Sequence, residues 1–360
     1  MRIQHLRLQA FRRFTDVEVN LSPGFNSFVG DNGSGKTTLL EATHLLAHGR
    51  SFRGRVRDGL VQTQAAALMV NATWEASGVA HRAGLRHSGN QWEARLNGMP
   101  LQQLGQLCEA LAVVSFEPGS HALVDGSSQL RRRFLDWGVF HVEHLFMREW
   151  RRYARALKQR NVLLRQTNAI NQLSAWEWEL ADAGERLTLQ REAYLSQLQQ
   201  HIGALTPELL PSAGDVRLSL QSGWRREAMS LADALLLSRE RDLAVGYTTQ
   251  GPHRADIRIE LQTLPAPDQL SRGQTKQLAL LLLLGQATQL ADAWGHWPVL
   301  QLDDLGSELD RQHQTRVLEV LRNSGAQVLV TGTEVLPAWA TLGVDVAMFH
   351  VEQGRIHAEI

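Results

Sequence analysis

Apolar and polar residues alternate along the start of the chain, which is the pattern of β-strands that bury one face. Ile3, Leu6 and Leu8 are separated by polar residues, and Val17 and Val19 continue the alternation. We therefore expect short antiparallel strands here, followed by a buried strand in "FNSFVG". The next stretch, "TTLLEATHLLAHG", has the apolar spacing of a helix, and a glycine ends it.

Strand-like stretches continue through "AALMVNATWE", "WEARLNG" and "LAVVSFEPG" until about residue 120, where long helical patterns with few glycines begin. Trp150, Tyr153, Leu157 and Leu164 then fall on one apolar stripe. Two long helices of this type pack antiparallel as an arm. Turn and strand patterns return near residue 245, and a long helix from Ser271 precedes "PVLQLDD", "AQVLVTGT" and a closing hairpin.

This order of patterns predicts one α/β domain that is interrupted by a helical insertion. We place the first part of the α/β domain at residues 1–120, the helical arm at 121–245 and the second part at 246–360.

Composition narrows the class of protein. The formal net charge is zero, so any basic surface must be local. A single cysteine, Cys108, excludes internal disulfides and Cys-based zinc sites, and it suits a reducing cytoplasm. The longest apolar run, which starts at Leu278, is too short to span a bilayer. We therefore expect a cytoplasmic protein that does not enter the membrane.

The segment "GDNGSGKT" matches the phosphate-binding loop G-x-x-x-x-G-K-[ST] in full, and it lies between a predicted strand and a predicted helix. Glycines let the backbone N–H groups of such a loop face phosphates, Lys36 adds a positive charge, and the Thr37 hydroxyl is placed to ligate Mg²⁺. The predicted ATP-binding residues of this loop are Gly30, Asp31, Asn32, Gly33, Ser34, Gly35, Lys36, Thr37 and Thr38.

Two acidic residues follow the apolar strand "PVLQL", at the strand end where α/β proteins bind their ligands. We expect Asp303 to hold Mg²⁺ together with Thr37, and Asp304 to orient or deprotonate the attacking water. Lys36 and Asp304 are thus the predicted catalytic residues.

The motif "LSRGQ" precedes an apolar helix and predicts a second anion site at a helix N-terminus. Such a chain either binds two nucleotides or offers its second site to the nucleotide of another subunit. The residues concerned are Ser271, Arg272, Gly273 and Gln274, with Lys276 close behind them.

Together these motifs resemble a known family. "LSRGQ" is similar to the signature motif of ABC-type ATPases, and "FRRF", "GDNGSGKTTLLEA", "HGRSFR", "RRRFLDWGVFH", "GPHRADIRI" and "LDDLGSELD" stand in the order and spacing of the bacterial RecF family. The resemblance implies an α/β fold, namely a P-loop ATPase head of the ABC type with an inserted helical arm. It also implies ATP and Mg²⁺ as cofactors, with each ATP held by the loop of one copy and the signature of another.

The resemblance further implies a role in recombinational repair. An ATP-driven homodimer would bind double-stranded or gapped DNA, slow hydrolysis would release it, and the partners would be RecR and, through it, RecO. Ser307 to Asp310 match the loop that crosses the dimer interface. RecF proteins usually carry a Pro-Glu pair where this chain has "FEPGSHALV", which leaves the metal-contacting residue there open between Glu117 and Gln129.

A basic stripe on the predicted arm is the candidate DNA surface, because its residues recur at helical spacing away from the apolar stripe. It consists of Arg148, Arg151, Arg152, Arg155 and Lys158. A solvated helix face balanced by acidic neighbours is the plainer interpretation. The alternative function is a P-loop ATPase or kinase that acts on a small molecule, but this leaves "LSRGQ" and the arm unexplained.

Overall fold

The computed structural model describes residues 1–54, 59–166 and 170–358. It divides into two compact units, which are interleaved along the chain. The first unit contains Met1–His121, Glu208–Leu210 and the chain from Ser271 onward, and the second contains Ala122–Pro207 and Pro211–Leu270. Among the described residues, no helix combines the length and apolar character that crossing a bilayer requires.

The strands and helices are numbered in chain order. The strands are β1 (Arg2–Phe11), β2 (Phe14–Asn20), β3 (Phe25–Val29), β4 (Leu68–Ala76), β5 (Val79–His87), β6 (Trp92–Leu96), β7 (Met99–Pro100), β8 (Val113–Phe116), β9 (Val216–Gln221), β10 (Asp256–Leu261), β11 (Val299–Leu302), β12 (Val328–Gly332), β13 (Val346–Glu352) and β14 (Arg355–Ala358). The α-helices are α1 (Lys36–His48), α2 (Gly105–Ala110), α3 (Ala122–Asp125), α4 (Ser128–Val142), α5 (Phe146–Leu163), α6 (Ile170–Leu209), α7 (Leu231–Leu237), α8 (Arg239–Val245), α9 (Arg272–Trp294), α10 (Leu305–Glu308), α11 (Arg311–Ser324) and α12 (Ala338–Leu342).

Two six-stranded sheets form the first unit. One is antiparallel, in the order β2-β1-β4-β5-β6-β7, and the other has the order β14-β13-β3-β12-β11-β8. In the second sheet every pair from β13 to β8 is parallel, and only β14 runs antiparallel. The predicted antiparallel start, the strand at β3 and the closing hairpin are therefore confirmed.

Helix α1 connects the two sheets through one apolar core. Its residues Leu39 and Leu45 are fully buried in the same cluster as Leu6 of β1 and Leu329 of β12. A helix that is apolar on most of its sides must be surrounded by other elements. Gly49 ends α1 in the left-handed conformation and donates its N–H to the carbonyl of Leu45, as the sequence predicts. The core thus fixes the start of α1 against the parallel sheet.

The second unit contains the arm helices, the strands β9 and β10, and a buried ionic network. Arg160 on α5 is fully buried and donates to Glu177 on α6 and to Asp242 on α8. Strand β10 pairs antiparallel with β9. Because of this pairing the inserted unit ends at Leu270. The boundary predicted from the sequence was residue 245, with 246–360 in the α/β domain.

Candidate nucleotide-binding site

A cavity of about 780 Å³ lies at the carboxyl ends of the parallel strands in the first unit. The loop after β3, the acidic pair after β11 and Thr331 at the end of β12 all line it. Strand β12 lies between β3 and β11, so the parallel order brings these three strand ends side by side. This is the edge of an α/β sheet at which ligands bind.

The loop from Gly30 to Lys36 requires glycine for two different reasons. Gly33 adopts a positive φ of 79°, which favours glycine. At Gly30, a Cβ atom would lie 2.1 Å from the carbonyl oxygen of Val351, so the close packing of loop and β13 excludes a side chain. The loop conformation is therefore set by backbone space as well as by backbone dihedrals.

Lys36 is folded over the loop that precedes it. Its Nζ donates to the carbonyl oxygens of Gly30 at 2.5 Å and Asp31 at 2.8 Å. Burial lowers the pKa of Lys36, while the charges of Asp304 and Asp303 act in the opposite direction. The ammonium group thus lies between the loop and the acidic pair, where an anion entering the cavity would meet it.

Two threonine hydroxyls converge on Asp303. Thr37 Oγ1 donates to Asp303 Oδ1 at 2.9 Å, and Thr331 Oγ1 donates to the same oxygen at 2.7 Å. Thr331 Oγ1 also accepts the backbone N–H of Asp304 at 2.8 Å. Burial raises the pKa of Asp303, and the two hydroxyl donors oppose that rise. One threonine therefore connects both acidic residues to the end of β12.

Asp304 has a backbone conformation that non-glycine residues rarely adopt. Its φ is 53° and its ψ is 41°, in the left-handed region, directly before α10. The hydrogen bond to Thr331 holds the amide of this residue in place. The strain lies at the residue that the sequence predicts to act on water.

Arginines from other parts of the chain also line the cavity. Arg12, Arg13 and Arg53 line it together with Lys36 and the carboxylates of Asp303 and Asp304. A wall with more cations than carboxylates attracts a multiply charged anion such as a polyphosphate. Arg12 and Arg13 belong to the motif "FRRF", but their position at the nucleotide site was not predicted from the sequence.

Arg12 is fixed by a buried acid on α1. Its Nη2 donates to Glu41 Oε1 at 2.8 Å, and Ser51 donates to the same carboxylate oxygen. Glu41 is fully buried, and a carboxylate that is shielded from water needs hydrogen-bond partners within the protein. The contact ties the β1–β2 turn, helix α1 and the segment after α1 together at the cavity wall.

Glu117 lies at the end of β8, next to the acidic pair. The backbone N–H of Asp303 donates to the carbonyl of Phe116 at 2.8 Å, which places Glu117 and Asp303 at neighbouring strand ends. Burial raises the pKa of Glu117, and the charge of Asp303 adds to the rise. Glu117 thus belongs to the unit that contains the loop, whereas Gln129 belongs to the other unit.

The motif "LSRGQ" forms the start of α9. Ser271 Oγ accepts the N–H of Gln274, whose side chain accepts the N–H of Ser271, so the two residues form a capping box. Ser271, Arg272 and Gly273 are exposed, and none of the four motif residues is among the described residues that line the cavity. Lys276 is 2.8 Å from Glu308, so its ammonium group is paired within the unit and does not add to an anion site.

The predicted basic stripe on α5 is only partly exposed. Arg152 donates to Glu149 at 2.6 Å and to Glu179 and Asp182 at 3.0 Å, and these bonds raise its pKa. Three carboxylates thus bind the guanidinium of Arg152, a residue that the sequence places on the candidate DNA surface. The other members of the stripe, Arg148, Arg151, Arg155 and Lys158, are exposed. Trp150, which the sequence places on the apolar stripe, is 40% exposed.

Comparison with known proteins identifies the family. The sequence model of the RecF/RecN/SMC N-terminal domain matches residues 2–354. The DNA replication and repair protein RecF of Stenotrophomonas maltophilia strain R551-3 is 54% identical over 363 residues, which cover 99% of this chain and 100% of that protein. The chain belongs to the RecF family. RecF of Shewanella baltica strain OS185 is 37% identical to this family member over 358 residues, 99% of each chain.

Solved structures of RecF share the fold. The structure of the recombination mediator protein RecF-ATP in the RecFOR pathway is 25% identical to this RecF-family chain, with a TM-score of 0.88 over 100% of this chain and 98% of that one. An Smc head domain from Pyrococcus furiosus is 16% identical, with a TM-score of 0.58 over 99% of this chain and 96% of that one, and shows the fold alone. The predicted family and the predicted α/β ATPase head are therefore confirmed.

Proposed function

We propose that this RecF-family chain is an ATP-dependent DNA-binding protein of recombinational repair. The observation that carries the proposal is that the phosphate loop, Lys36 and the Asp303–Asp304 pair line one cavity. The motif that begins at Ser271 is exposed and is not among the described residues that line this cavity. The relatives named DNA replication and repair proteins, and the RecF-ATP structure, support the ligand and the process. In this proposal the first unit is the ATPase head and the inserted unit is its helical arm.

The cavity residues suit ATP with Mg²⁺. Loop N–H groups and Lys36 hold the phosphates, and the arginines at the wall add positive charge. Thr37 Oγ1 and Asp303 Oδ1 are hard oxygen donors 2.9 Å apart, the type of pair that Mg²⁺ accepts when phosphates and water complete its shell. Mg²⁺ would neutralise charge on the phosphates, and Asp304 orients the attacking water. The described residues hold no group of three or more His, Cys, Asp or Glu side chains that could bind a metal by themselves.

A second copy of the chain completes the site in this proposal. The exposed start of α9 presents Ser271 and free backbone N–H groups, which suit the phosphates of a nucleotide bound to another copy. A ligand held only by the dimer favours association through its binding free energy. The dimer then clamps double-stranded or gapped DNA, slow hydrolysis releases it, and RecR, with RecO through it, are the protein partners.

Sedimentation velocity with and without ATP, Mg²⁺ and gapped DNA tests the proposal. We expect ATP to produce dimers in the wild type, Lys36→Met to lose both ATP binding and dimers, and Ser271→Arg to keep ATP binding but lose dimers. Ser230→Arg is the matched control, because Ser230 also caps a helix through its side chain but lies in the inserted unit. ATP-dependent dimers of the Lys36→Met variant would overturn the proposal, and dimers of Ser271→Arg would overturn the role of the second motif.

A further inference from the structure

A shallow dimple on the exposed face of the antiparallel sheet has the composition of an anion site. It has a volume of about 360 Å³, and none of its described lining residues also lines the nucleotide cavity. Strand register places Asn71, Gly84 and Arg95 in one row across β4, β5 and β6, with Thr73 and Arg82 paired in the next row. We call these five residues the sheet dimple.

Gly84 forms the floor of the sheet dimple. A Cβ atom at this position would lie 2.7 Å from Oδ1 of Asn71, so any side chain would displace the amide and fill the depression. A glycine in the interior of a strand weakens the strand and often marks a place where a ligand approaches the backbone. Gly84 lies in the same row as Arg95 and beside the row of Arg82, which fits that second purpose.

The side chains of Asn71, Thr73, Arg82 and Arg95 have no side-chain partners in the described part of the chain, whereas His5, which also lines the depression, is paired with Glu18. Among the described residues, the guanidinium groups of Arg82 and Arg95 have no carboxylate within 4.0 Å and make no hydrogen bond. The Asn71 amide and the Thr73 hydroxyl make no hydrogen bond with a described residue either. Arg86, on the same face of β5, is by contrast paired with Glu93 at 3.2 Å. Arg82 and Arg95 thus differ from Arg86, an arginine on the same face that has a carboxylate partner.

These groups define the chemistry of the ligand. Two guanidinium groups, an amide and a hydroxyl supply many N–H and O–H donors, and none of the described residues that line the depression is acidic. Arginine matches phosphate oxygens with paired N–H groups. An open depression of this size accommodates one phosphate group and leaves its substituents in solvent, which suits a phosphodiester within a polymer.

We propose that the sheet dimple binds a backbone phosphate of duplex DNA. The inference rests on the proposed DNA-binding function and assigns part of it to the antiparallel sheet. It differs from the basic stripe on α5, where Arg152 is already neutralised by three carboxylates. Binding at the sheet dimple is independent of base sequence, because phosphate contacts position a protein without reading bases.

Fluorescence anisotropy of labelled duplex DNA, with ATP and across a series of salt concentrations, tests this assignment. The variant is Arg82→Gln with Arg95→Gln, and the control is Arg86→Gln, which removes an arginine from the same face of the same sheet. Loss of this one phosphate contact lowers the slope of log K against log salt by about 0.9 for each copy that touches the duplex, and lowers affinity by about 8-fold at about 0.1 M salt. ATP binding stays unchanged in every variant.

Each alternative result leads to a different conclusion. Wild-type affinity and salt slope in the double variant would overturn the assignment, and so would an equal loss in Arg86→Gln. A wild-type chain that does not bind duplex DNA with ATP would overturn the proposed function and this assignment with it. Calorimetry with inorganic phosphate is the last experiment. If the double variant loses the heat of phosphate binding but keeps the wild-type salt slope for DNA, the site binds free phosphate and the DNA assignment is overturned.

Discussion

Replacing Thr331 with valine removes one hydroxyl that holds both acidic residues of the nucleotide site. This hydroxyl donates to Asp303 at 2.7 Å and accepts the Asp304 N–H at 2.8 Å. Valine has nearly the same shape, which matters because the side chain is 1% exposed. The variant therefore leaves the Asp304 amide without its acceptor, and leaves Thr37 as the hydroxyl donor to Asp303 within the described residues.

The size of the effect follows from these two bonds. A hydrogen bond to a charged group contributes about 1.5–3 kcal/mol, and a buried amide without an acceptor costs about 1–3 kcal/mol. Relaxation of the left-handed Asp304 returns about 1 kcal/mol of that loss. We therefore expect the free energy of unfolding to fall by about 1.5–5 kcal/mol in Thr331→Val.

Urea unfolding and hydrogen exchange of the Asp304 amide measure this effect. Thr331→Ser is the control, because it keeps the hydroxyl and loses only a methyl group, which costs about 1 kcal/mol. We expect the valine variant to be less stable than the serine variant and to exchange the Asp304 amide faster. If the valine variant were as stable as the serine variant and exchanged this amide at the wild-type rate, the hydroxyl would not be what holds the acidic pair.

Three further predictions concern other parts of the chain. Arg160→Met leaves the fully buried Asp242 without its arginine, whereas Glu177 keeps Arg239, and it lowers the free energy of unfolding by about 3–5 kcal/mol; a loss below about 1 kcal/mol in thermal or urea unfolding would contradict this. Lys276→Glu and Glu308→Lys each weaken ATP-dependent dimers in sedimentation, and the double variant that carries both changes restores them. If the double variant does not restore dimers, the 2.8 Å ion pair does not position α9. Burial lowers the pKa of His48 to about 4, so stability is lost as pH falls from about 6.5 towards 4, by about 1.4 kcal/mol per pH unit for this group; an identical pH slope in His48→Gln would refute it.

Local patterns along the sequence predicted most elements of the first unit. The phosphate loop, α1 and the ends of β3 and β11 depend on residues close in sequence, and their glycine and apolar spacing carries that information. The end of the inserted unit could not be predicted from such local patterns. The alternation in "ADIRIEL" predicted a strand correctly, but periodicity does not name a partner, and the pairing of β10 with β9 decides which unit contains it.

The candidate site shows the same division. Lys36, Thr37, Asp303 and Asp304 were predicted from motifs, and the structure brings them to one cavity. The approach of Arg12 to that cavity depends on its bond to buried Glu41, a tertiary contact that spacing cannot show.

For Arg152, one member of the basic stripe on α5, the sequence lacked information for a related reason. Helical spacing identifies residues that share a face, but it does not reveal the neighbouring helix. The carboxylates of Glu179 and Asp182 on α6 occupy Arg152. A charge pattern on one helix is therefore only half of the information needed to predict an exposed basic surface.

The order of strands in the parallel sheet has a consequence for biosynthesis. Strand β3 lies between β12 and β13, which follow it by about 300 residues. At about 5–20 residues per second, a ribosome completes β3 about 15–60 s before it completes either neighbour. During that interval both edges of β3 lack their partners, and apolar residues such as Phe28 lack their final cover. The inserted unit is synthesised in full before β11 begins, so we expect it to fold first and the nascent head to depend on chaperones until its last strands emerge.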